Sequence, residues 1–308
     1  MRFLAGYKAQ ANVSFVGPYV AHAKGFYREA QLDVDIEHVA RTGENFKLLA
    51  ANQVDVTTGV GEDVIRLVQA GMPVVAIASV TQRGDHGFAT LASSGIKEPT
   101  QWEGKTAGYK GAGVSIDYLA LVSKLGLDRS KIKEVQIGYD PRVLIQKTVD
   151  ILPVFLSNEP DTIRNELGFE VNVIDPSDYG VVLLGQTWLV NSNQFASKRP
   201  VYGRWLRATL KGLEYAFAHE DEAVAAVMKY APEENRPHQS FMLSIEKKRS
   251  ITALTRSRGL GWMTPEPWST TQDALIQTGQ IASKIDVTRY FNDGLLPAAR
   301  HQDASSTG

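Results

Sequence analysis

The sequence contains no cysteine in its 308 residues. Disulfides, zinc–thiolate sites, iron–sulfur clusters and thiol nucleophiles are therefore excluded together. Clusters of like charge are also missing, and the formal net charge is −1. We expect no nucleic-acid partner, because binding to a phosphate backbone depends on clustered Lys and Arg. No run of about 18 apolar residues is present, so the sequence predicts no membrane-spanning helix.

Motifs for the common catalytic and cofactor chemistries are missing as well. The six histidines never recur at the spacing of one helical turn, so no helical metal site is predicted. Neither a G-x-S-x-G nucleophile turn nor a P-loop occurs. The glycine-rich stretch AGYKGAGVSI at 107–116 lacks the third glycine of a dinucleotide fingerprint, and RSKIK at 129–133 offers no acid for a ribose. We therefore predict no catalytic residue, no metal and no bound cofactor.

What the chain does contain is an alternation of short apolar runs with helical stretches. Hydrophobic residues make up 43% and charged residues 22%, which is typical of a globular protein, and the length suffices for two domains. Predicted strands lie at 2–7, 33–39, 54–58 and 74–80, and the pattern restarts at 105–109, 134–139 and 149–155. The sequence therefore predicts an α/β fold of repeated βαβ units, followed by a helical C-terminal part and a disordered polar tail at 301–308.

The tetrapeptide AGYK ends a predicted strand twice, at residues 5–8 and 107–110. A second pair of matches, VDV at 54–56 and VDI at 149–151, follows in the same order and at a similar offset. Chance is one explanation, and two similar α/β lobes are the other, which we favour. The first lobe is predicted to contain residues 1–88 and 187–308, with the C-terminal helices packed on it, and the second residues 89–186. Two crossings between them predict a hinge.

Candidate ligand-binding residues lie in the loops that follow the predicted strands, because ligands of open α/β sheets bind at the carboxyl ends of the strands. Tyr7 and Tyr109 follow equivalent strands, and each either offers an aromatic face to a planar ligand or packs half-buried. Small polar groups that either orient a heterocycle or cap turns are the second set. This set consists of Gln10, Asn12, Ser157 and Asn158.

Five further positions are predicted to contact the ligand or lie beside it. Glu62 stands at a helix start and is able to accept hydrogen bonds from a ligand, whereas its neighbour Asp63 is expected to cap the helix. Trp188 lies beside the second predicted crossing and either stacks on a ligand or packs the hinge. The remaining candidates in these loops are Gln82, Lys110 and Gly111.

Several longer segments resemble a known family. They are YVAHAKGFYREAQLDVDI (19–36), VDVTTGVGEDVI (54–65), GMPVVAIASVTQ (71–82) and GFATLASSGIKEPTQWEGKTAGY (87–109). These segments are similar to solute-binding proteins of ABC importers, in particular the group that binds a pyrimidine precursor of thiamine. The resemblance implies a type II-like periplasmic-binding-protein fold, in which two lobes close on a ligand, and a monomer that delivers the ligand to permease subunits. It also implies a periplasmic or membrane-anchored extracellular location, with a leader outside this sequence.

The superfamily of these binding proteins also contains an enzyme, the fungal pyrimidine synthase. That enzyme consumes its own histidine and a pyridoxal phosphate held on a lysine, and it carries a cysteine-rich iron motif. By the resemblance, Glu62 stands at the lysine position and Arg66 at the histidine position, and cysteine is absent. The comparison therefore implies that the present protein is not an enzyme of this kind.

The first and second binding loops differ from those of pyrimidine binders, which carry a tryptophan and a PNTNH-like run after the first strand. Here Tyr7 is followed by KAQANVSF, and the loop at 156–160 reads LSNEP in place of bulky aromatics. These changes suggest a larger ligand, and some relatives of this group import riboflavin. Riboflavin is the favoured ligand, formylaminopyrimidine is the alternative, and an enzyme on the same scaffold is the alternative of another class.

Overall fold

The computed structural model describes residues 1–41, 43–111 and 113–296. The polar tail at 301–308 lies outside these residues. Within them the chain forms two compact units. Unit 1 consists of Met1–Gln82, Leu184–Ser269 and the residues from Ile285 onward, and unit 2 consists of Arg83–Leu183 and Thr270–Lys284.

The division into units differs from the predicted lobes at three places. Unit 1 ends at Gln82, whereas the first lobe was predicted to end at residue 88. Unit 1 resumes at Leu184, whereas the first lobe was predicted to resume at residue 187. In addition, residues 270–284, which we assigned to the first lobe with the rest of the C-terminal part, cluster with unit 2. The chain therefore passes between the units four times, where the sequence predicted two crossings. Helical periodicity carries no information about which unit a terminal helix joins.

Ten strands and twelve helices are seen in the described residues. The strands are β1 (Arg2–Ala5), β2 (Asp35–His38), β3 (Val56–Val60), β4 (Val74–Ser79), β5 (His86–Leu91), β6 (Thr106–Tyr109), β7 (Lys133–Gln136), β8 (Leu152–Phe155), β9 (Val171–Ile174) and β10 (Gln186–Asn191). The helices are α1 (Val13–Ala23), α2 (Phe26–Glu29), α3 (Glu44–Ala50), α4 (Gly61–Gln69), α5 (Ile116–Lys124), α6 (Arg142–Ile145), α7 (Glu159–Asp161), α8 (Phe195–Ala218), α9 (Glu220–Tyr230), α10 (Arg236–Ser250), α11 (Ala253–Arg258) and α12 (Pro265–Gln277).

Unit 1 is built on a five-stranded sheet in the order β2-β1-β3-β10-β4. β1 is parallel to β2 and β3, whereas β10 is antiparallel to β3 and β4. Helices α8 and α9 pack against α1, which covers the sheet. Helices α1 and α8 cross so closely that a Cβ atom on Gly212 would lie 2.4 Å from the carbonyl oxygen of Gly17. The core beneath this crossing is aromatic, with the rings of Trp188 and Trp205 meeting edge to face at 5.4 Å.

Unit 2 contains a three-stranded antiparallel sheet in the order β8-β5-β9 and a parallel pair, β6 and β7. The pair is joined to the chain before β8 by the N–H of Gly108, which donates to the carbonyl of Ile151 at 2.8 Å. The core holds Trp102, which stacks on Tyr118 at 5.9 Å and meets Phe88 edge to face at 4.9 Å.

The two AGYK copies occupy related but unequal positions. Each follows or ends a strand that pairs in parallel with the next strand of its unit, since β1 pairs with β2 and β6 with β7. The glycines are needed for packing, because a Cβ on Gly6 would lie 3.0 Å from Thr58 Oγ1 and one on Gly108 would lie 2.6 Å from Ile137 Cδ1. No helix in the described ranges combines the length and the apolar composition that crossing a membrane requires.

Candidate ligand-binding site

In unit 1 the predicted binding loop connects β1 to α1 and presents Tyr7 on the surface. The Tyr7 side chain is 49% exposed, which is unusual for an aromatic ring in this protein, and Gln10 is half-buried. The backbone between them is held by other residues of unit 1. The carbonyl of Tyr7 lies 2.6 Å from His38 Nδ1, and the N–H of Gly6 donates to Thr58 Oγ1 at 2.9 Å. The loop is therefore a fixed platform beneath an accessible ring.

Asn12 lies at the end of this loop and begins helix α1. Its Oδ1 accepts the backbone N–H of Ser14 at 3.0 Å, and its Nδ2 donates to Glu246 Oε1 at 3.1 Å. Next to it, the N–H of Ala11 donates to Gln239 Oε1 at 2.6 Å. Both polar ends of the Asn12 amide are thus used inside unit 1, and only 7% of the residue is exposed. This geometry corresponds to the capping alternative.

Glu62 and Asp63 lie in the first turn of α4. Asp63 Oδ2 accepts the N–H of Val60 at 3.4 Å, which is the capping role expected of it. Glu62 pairs with Arg66 one turn later at 3.3 Å, and 17% of its side chain is exposed. Glu62 therefore has a partner on its own helix as well as some accessible surface.

Gln82 and Trp188 are used for packing in unit 1. Gln82 Nε2 donates to the carbonyls of Ser79 and Trp262, at 3.0 and 3.1 Å. Trp188 has no exposed surface, and its indole N–H donates to the carbonyl of Ser14 at 2.9 Å. Pro18 follows Ser14 by one helical turn and has no N–H to donate to that carbonyl, so Trp188 supplies the missing donor. The structure thus buries Trp188 in the core of unit 1, and this geometry corresponds to the packing alternative.

In unit 2 the charged centre of the candidate site is a buried ion pair. Lys110 Nζ lies 2.5 Å from Glu159 Oε1, and only 14% and 8% of the two side chains are exposed. Glu159 Oε2 accepts the N–H of Phe155 at 2.8 Å, so the carboxylate connects Lys110 to the end of β8. Lys110 also lies over the ring of Tyr139, 5.5 Å from its centroid. The pair therefore lies against the ring of Tyr139 and is bonded to the backbone of Phe155.

The other predicted residues of unit 2 lie next to Lys110 and Glu159 in the sequence, and two of them accept hydrogen bonds through their backbone carbonyls. Tyr109 is half-buried, and its carbonyl accepts the N–H of Ile137 at 2.9 Å. Gly111 takes a positive φ of 72°, which requires glycine for an unstrained turn, and its carbonyl accepts Gln136 Nε2 at 2.8 Å. Asn158 is half-buried at the start of α7.

Ser157 is buried and donates its hydroxyl to Asp85. The residue after Asp85 makes a histidine–carboxylate contact, since His86 Nδ1 is 3.1 Å from Asp117 Oδ2. The ring of His86 also lies 4.9 Å from that of Phe155, to which Ser157 is close in sequence. His86, with a third of its side chain exposed, therefore borders the same surface as Phe155.

Sequence reasoning missed the aromatic residues that the structure exposes in unit 2. Tyr139 is 71% exposed and Phe155 is 39% exposed. Phe155 ends β8 in the run LPVF, in which alternate residues are buried, so the period-2 pattern was a usable signal. Tyr139, by contrast, ends the predicted strand at 134–139, whereas β7 ends at Gln136 and leaves Tyr139 outside the strand. Within the described ranges, no group of three or more His, Asp or Glu side chains is placed to hold a metal ion.

Comparison with solved structures defines the class of fold. The periplasmic aliphatic sulphonate binding protein SsuA from Escherichia coli matches with a TM-score of 0.70 and 15% sequence identity, covering 94% of this chain and 91% of that chain. The predicted periplasmic-binding-protein fold is thus confirmed. The family described as "NMT1/THI5 like" matches residues 12–223. The match spans more than half of the chain, and the protein belongs to the NMT1/THI5-like family.

The relatives in sequence include binding proteins and an enzyme. The riboflavin-binding protein RibY of Chloroflexus aurantiacus is 25% identical over 305 residues, covering 94% of this chain and 84% of the relative. The formylaminopyrimidine-binding protein of Halalkalibacterium halodurans is 26% identical over 239 residues, covering 74% and 72%. The 4-amino-5-hydroxymethyl-2-methylpyrimidine phosphate synthase of Candida albicans is 22% identical over 226 residues, covering 70% and 67%.

Proposed function

We propose that this protein is the solute-binding component of an ABC importer and that its ligand is a planar heterocyclic vitamin or vitamin precursor, with riboflavin favoured. The observation that carries the proposal is the set of exposed aromatic rings beside fixed polar groups: Tyr7 in unit 1, and Phe155 and Tyr139 beside the Lys110–Glu159 pair in unit 2. A flat ligand that stacks on an exposed aromatic ring removes the ring's surface from water, and this burial favours binding.

Riboflavin is preferred because of the ligand's size and the extent of the similarity. RibY is similar over nearly the whole chain, whereas the similarity to the formylaminopyrimidine-binding protein covers 74% of it. A flavin also has a broad ring for stacking and a chain of hydroxyls for small polar groups. Formylaminopyrimidine, which needs a smaller stacking surface, is the second candidate.

Enzymatic activity is not part of the proposal. Among the relatives, the synthase of Candida albicans acts as an enzyme. In the present chain the positions on α4 where the resemblance locates the lysine and histidine of the fungal synthase are Glu62 and Arg66, and these two side chains pair with each other. Neither is able to form an imine with a pyridoxal aldehyde. We accordingly infer a monomer that works outside the cytoplasm with permease subunits.

The proposal is tested by titrating the purified protein into riboflavin and following the quenching of flavin fluorescence. In parallel, calorimetry measures the heat of binding of formylaminopyrimidine. We expect saturable binding of riboflavin without turnover. No saturation by either compound at about 50 µM, which corresponds to roughly −6 kcal/mol, would contradict the proposal. Conversion of the ligand into a product would instead support the enzyme alternative.

Single alanine variants identify the contacting rings. Tyr7→Ala, Phe155→Ala and Tyr139→Ala are each expected to weaken binding by about three- to tenfold, because an aromatic contact contributes about 0.5–1.5 kcal/mol beyond its buried area. Phe169→Ala is the matched control, since Phe169 is an aromatic residue of unit 2 that is 42% exposed and is not among the proposed contacts. Equal effects of the control and the three test variants would refute the stacking model.

A further inference from the structure

His38 connects the predicted binding loop of unit 1 to helix α1 through two short hydrogen bonds. Its Nδ1 lies 2.6 Å from the carbonyl oxygen of Tyr7, and its Nε2 lies 2.6 Å from the hydroxyl of Tyr19. The backbone N–H of Gln10 also acts on this hydroxyl, where it opposes the rise of the Tyr19 pKa that burial causes. We call this arrangement of His38 and Tyr19, which holds the backbone at Tyr7 and at Gln10, the His38 clamp.

The chemistry of the partners determines where the protons of the clamp lie. A carbonyl oxygen only accepts, so Nδ1 of His38 must carry a hydrogen and donate it to Tyr7. Nε2 of the neutral ring then has a lone pair and accepts the hydrogen of the Tyr19 hydroxyl. The oxygen of that hydroxyl is left to accept from the N–H of Gln10. Each polar group in the clamp has its partner only if His38 is neutral and carries its hydrogen on Nδ1.

Packing holds both side chains of the clamp in place. Tyr19 has no exposed surface, and its ring stacks on that of Tyr230 with centroids 4.1 Å apart. The ring of Phe15 meets His38 edge to face at 5.5 Å. The strand that carries His38 is fixed to β1 immediately afterwards, because the N–H of Val39 donates to the carbonyl of Ala5 at 3.1 Å. The clamp therefore connects a rigid part of unit 1 to a loop without regular secondary structure.

We propose that His38 is a positioning residue for ligand capture, which in its neutral Nδ1–H form, together with Tyr19, holds the Tyr7–Gln10 backbone in the conformation that presents the Tyr7 ring. The inference rests on the proposed function, in which Tyr7 contacts the ligand. Because His38 reaches the loop only through backbone atoms, it acts without touching the ligand.

Protonation of His38 would disable the clamp. It would put a hydrogen on Nε2, facing the Tyr19 hydroxyl, whose own hydrogen would then be buried without an acceptor. Burial lowers the pKa of His38, although the bond to the Tyr7 carbonyl acts in the opposite direction. Among the elements packed around His38, α1 carries Tyr19 and His22, and β1 carries Arg2. Asp35 and Glu37 lie on β2 with His38, Tyr7 and Lys8 lie in the loop, and α9 contributes Tyr230, which stacks on Tyr19. Arg2 pairs with Glu37, and Lys8 with Glu234, so these charges are compensated.

Three substitutions of His38 separate the two hydrogen bonds. In His38→Asn the side-chain amide nitrogen takes the place of Nδ1 and keeps the bond to Tyr7, whereas His38→Gln extends its amide to the Nε2 position and keeps only the partner of Tyr19. His38→Ala loses both bonds. We expect the dissociation constant for riboflavin to rise by about tenfold or more in the Ala and Gln variants and by less than about threefold in the Asn variant.

A pH profile distinguishes positioning from general destabilisation. Wild-type affinity is expected to be constant from about pH 8 to about pH 6.5 and to fall below that range, because burial lowers the pKa of His38 beneath the ordinary imidazole value. The Asn variant, which does not titrate there, is expected to give a flatter profile at equal folded fraction. Parallel profiles for the two proteins, or full affinity in His38→Ala, would overturn the proposal.

The clamp is also testable without any ligand, so that its failure is distinguishable from failure of the proposed function. In nitrogen-15 NMR spectra of the imidazole, His38 is expected to be the neutral Nδ1–H tautomer at about pH 7.5. Amide hydrogen exchange in residues 7–10 is expected to be about tenfold faster in His38→Ala than in wild type and little changed in His38→Asn. An Nε2–H tautomer, or unchanged exchange in the Ala variant, would refute the clamp even if the protein binds riboflavin. If no ligand binds but both results are as expected, the proposed function fails and the clamp stands as a device of the fold.

Discussion

Replacement of Glu159 by glutamine is expected to destabilise unit 2, because the carboxylate satisfies two donors at once. One oxygen accepts from the Lys110 ammonium at 2.5 Å and the other from the N–H of Phe155 at 2.8 Å. The glutamine amide has only one acceptor oxygen. Its NH2 group must therefore face a donor, either the ammonium or the backbone N–H, and that donor loses its partner.

The magnitude follows from the burial of the pair. Removing one partner of a fully buried ion pair costs about 3–5 kcal/mol, and an unsatisfied hydrogen-bonding group alone costs about 1–3 kcal/mol. Lys110 retains 14% exposure of its side chain, and one hydrogen bond survives in the variant. We therefore expect Glu159→Gln to lower the free energy of unfolding by about 2–3 kcal/mol.

Urea denaturation measures this loss through the shift of the unfolding midpoint. The double variant Lys110→Met with Glu159→Gln should recover to within about 1 kcal/mol of wild type, because it removes the unpaired charge. Glu103→Gln is the control for an exposed pair, since Glu103 and Lys131 are 36% and 60% exposed at 3.1 Å. The control should change stability by less than about 0.5 kcal/mol. The reasoning fails if Glu159→Gln is as stable as wild type, or if the double variant is less stable than the single one.

Three further outcomes are expected from unit 1. Burial lowers the pKa of His38, so the unfolded chain takes up this proton at a higher pH than the folded chain does. The free energy of unfolding should therefore fall as the pH drops below about 6.5. Urea denaturation at two pH values should show a smaller fall in His38→Asn. Trp188→Phe removes the indole donor of the Ser14 carbonyl and should cost about 1–3 kcal/mol by the same assay, whereas an unchanged midpoint would contradict that bond's role. Gly212→Ala brings a methyl group to 2.4 Å from the Gly17 carbonyl and should cost about 1–3 kcal/mol in thermal denaturation; a neutral effect would mean that the helices move apart freely.

Local patterns in the chain predicted most strands and several helix boundaries. The apolar runs at 74–80 and 105–109 correspond to β4 and β6 within one or two residues, and Asn12 caps α1. The predicted helical C-terminal part is interrupted between α10 and α11, because Thr252 caps a new helix after Ser250. Such a break depends on side-chain hydrogen bonds within a few residues, which periodicity alone does not reveal.

The candidate site was predicted less completely than the fold. The loops that carry Tyr7 and Lys110 were identifiable, since they follow strands of a recognisable α/β pattern. The sequence left the role of Trp188 open between stacking and packing, because exposure depends on which elements cover a residue, and here α1 supplies the carbonyl that its indole binds. Glu159 was not singled out, although it binds Lys110 across 49 positions of sequence.

The sequence by itself determined the α/β class, the absence of thiol and metal motifs, the turn glycines and the aromatic residues available for a planar ligand. These features depend on residue type and short-range spacing, which determine backbone conformation and chemistry. The tertiary structure alone decided which of those residues are exposed, which are spent on packing, and which distant groups hold them. His38 and the Tyr7 carbonyl are 31 positions apart in sequence and meet only because β2 pairs with β1. Burial and hydrogen-bond partners are properties of the folded chain as a whole, and so the clamp became visible only in the structure.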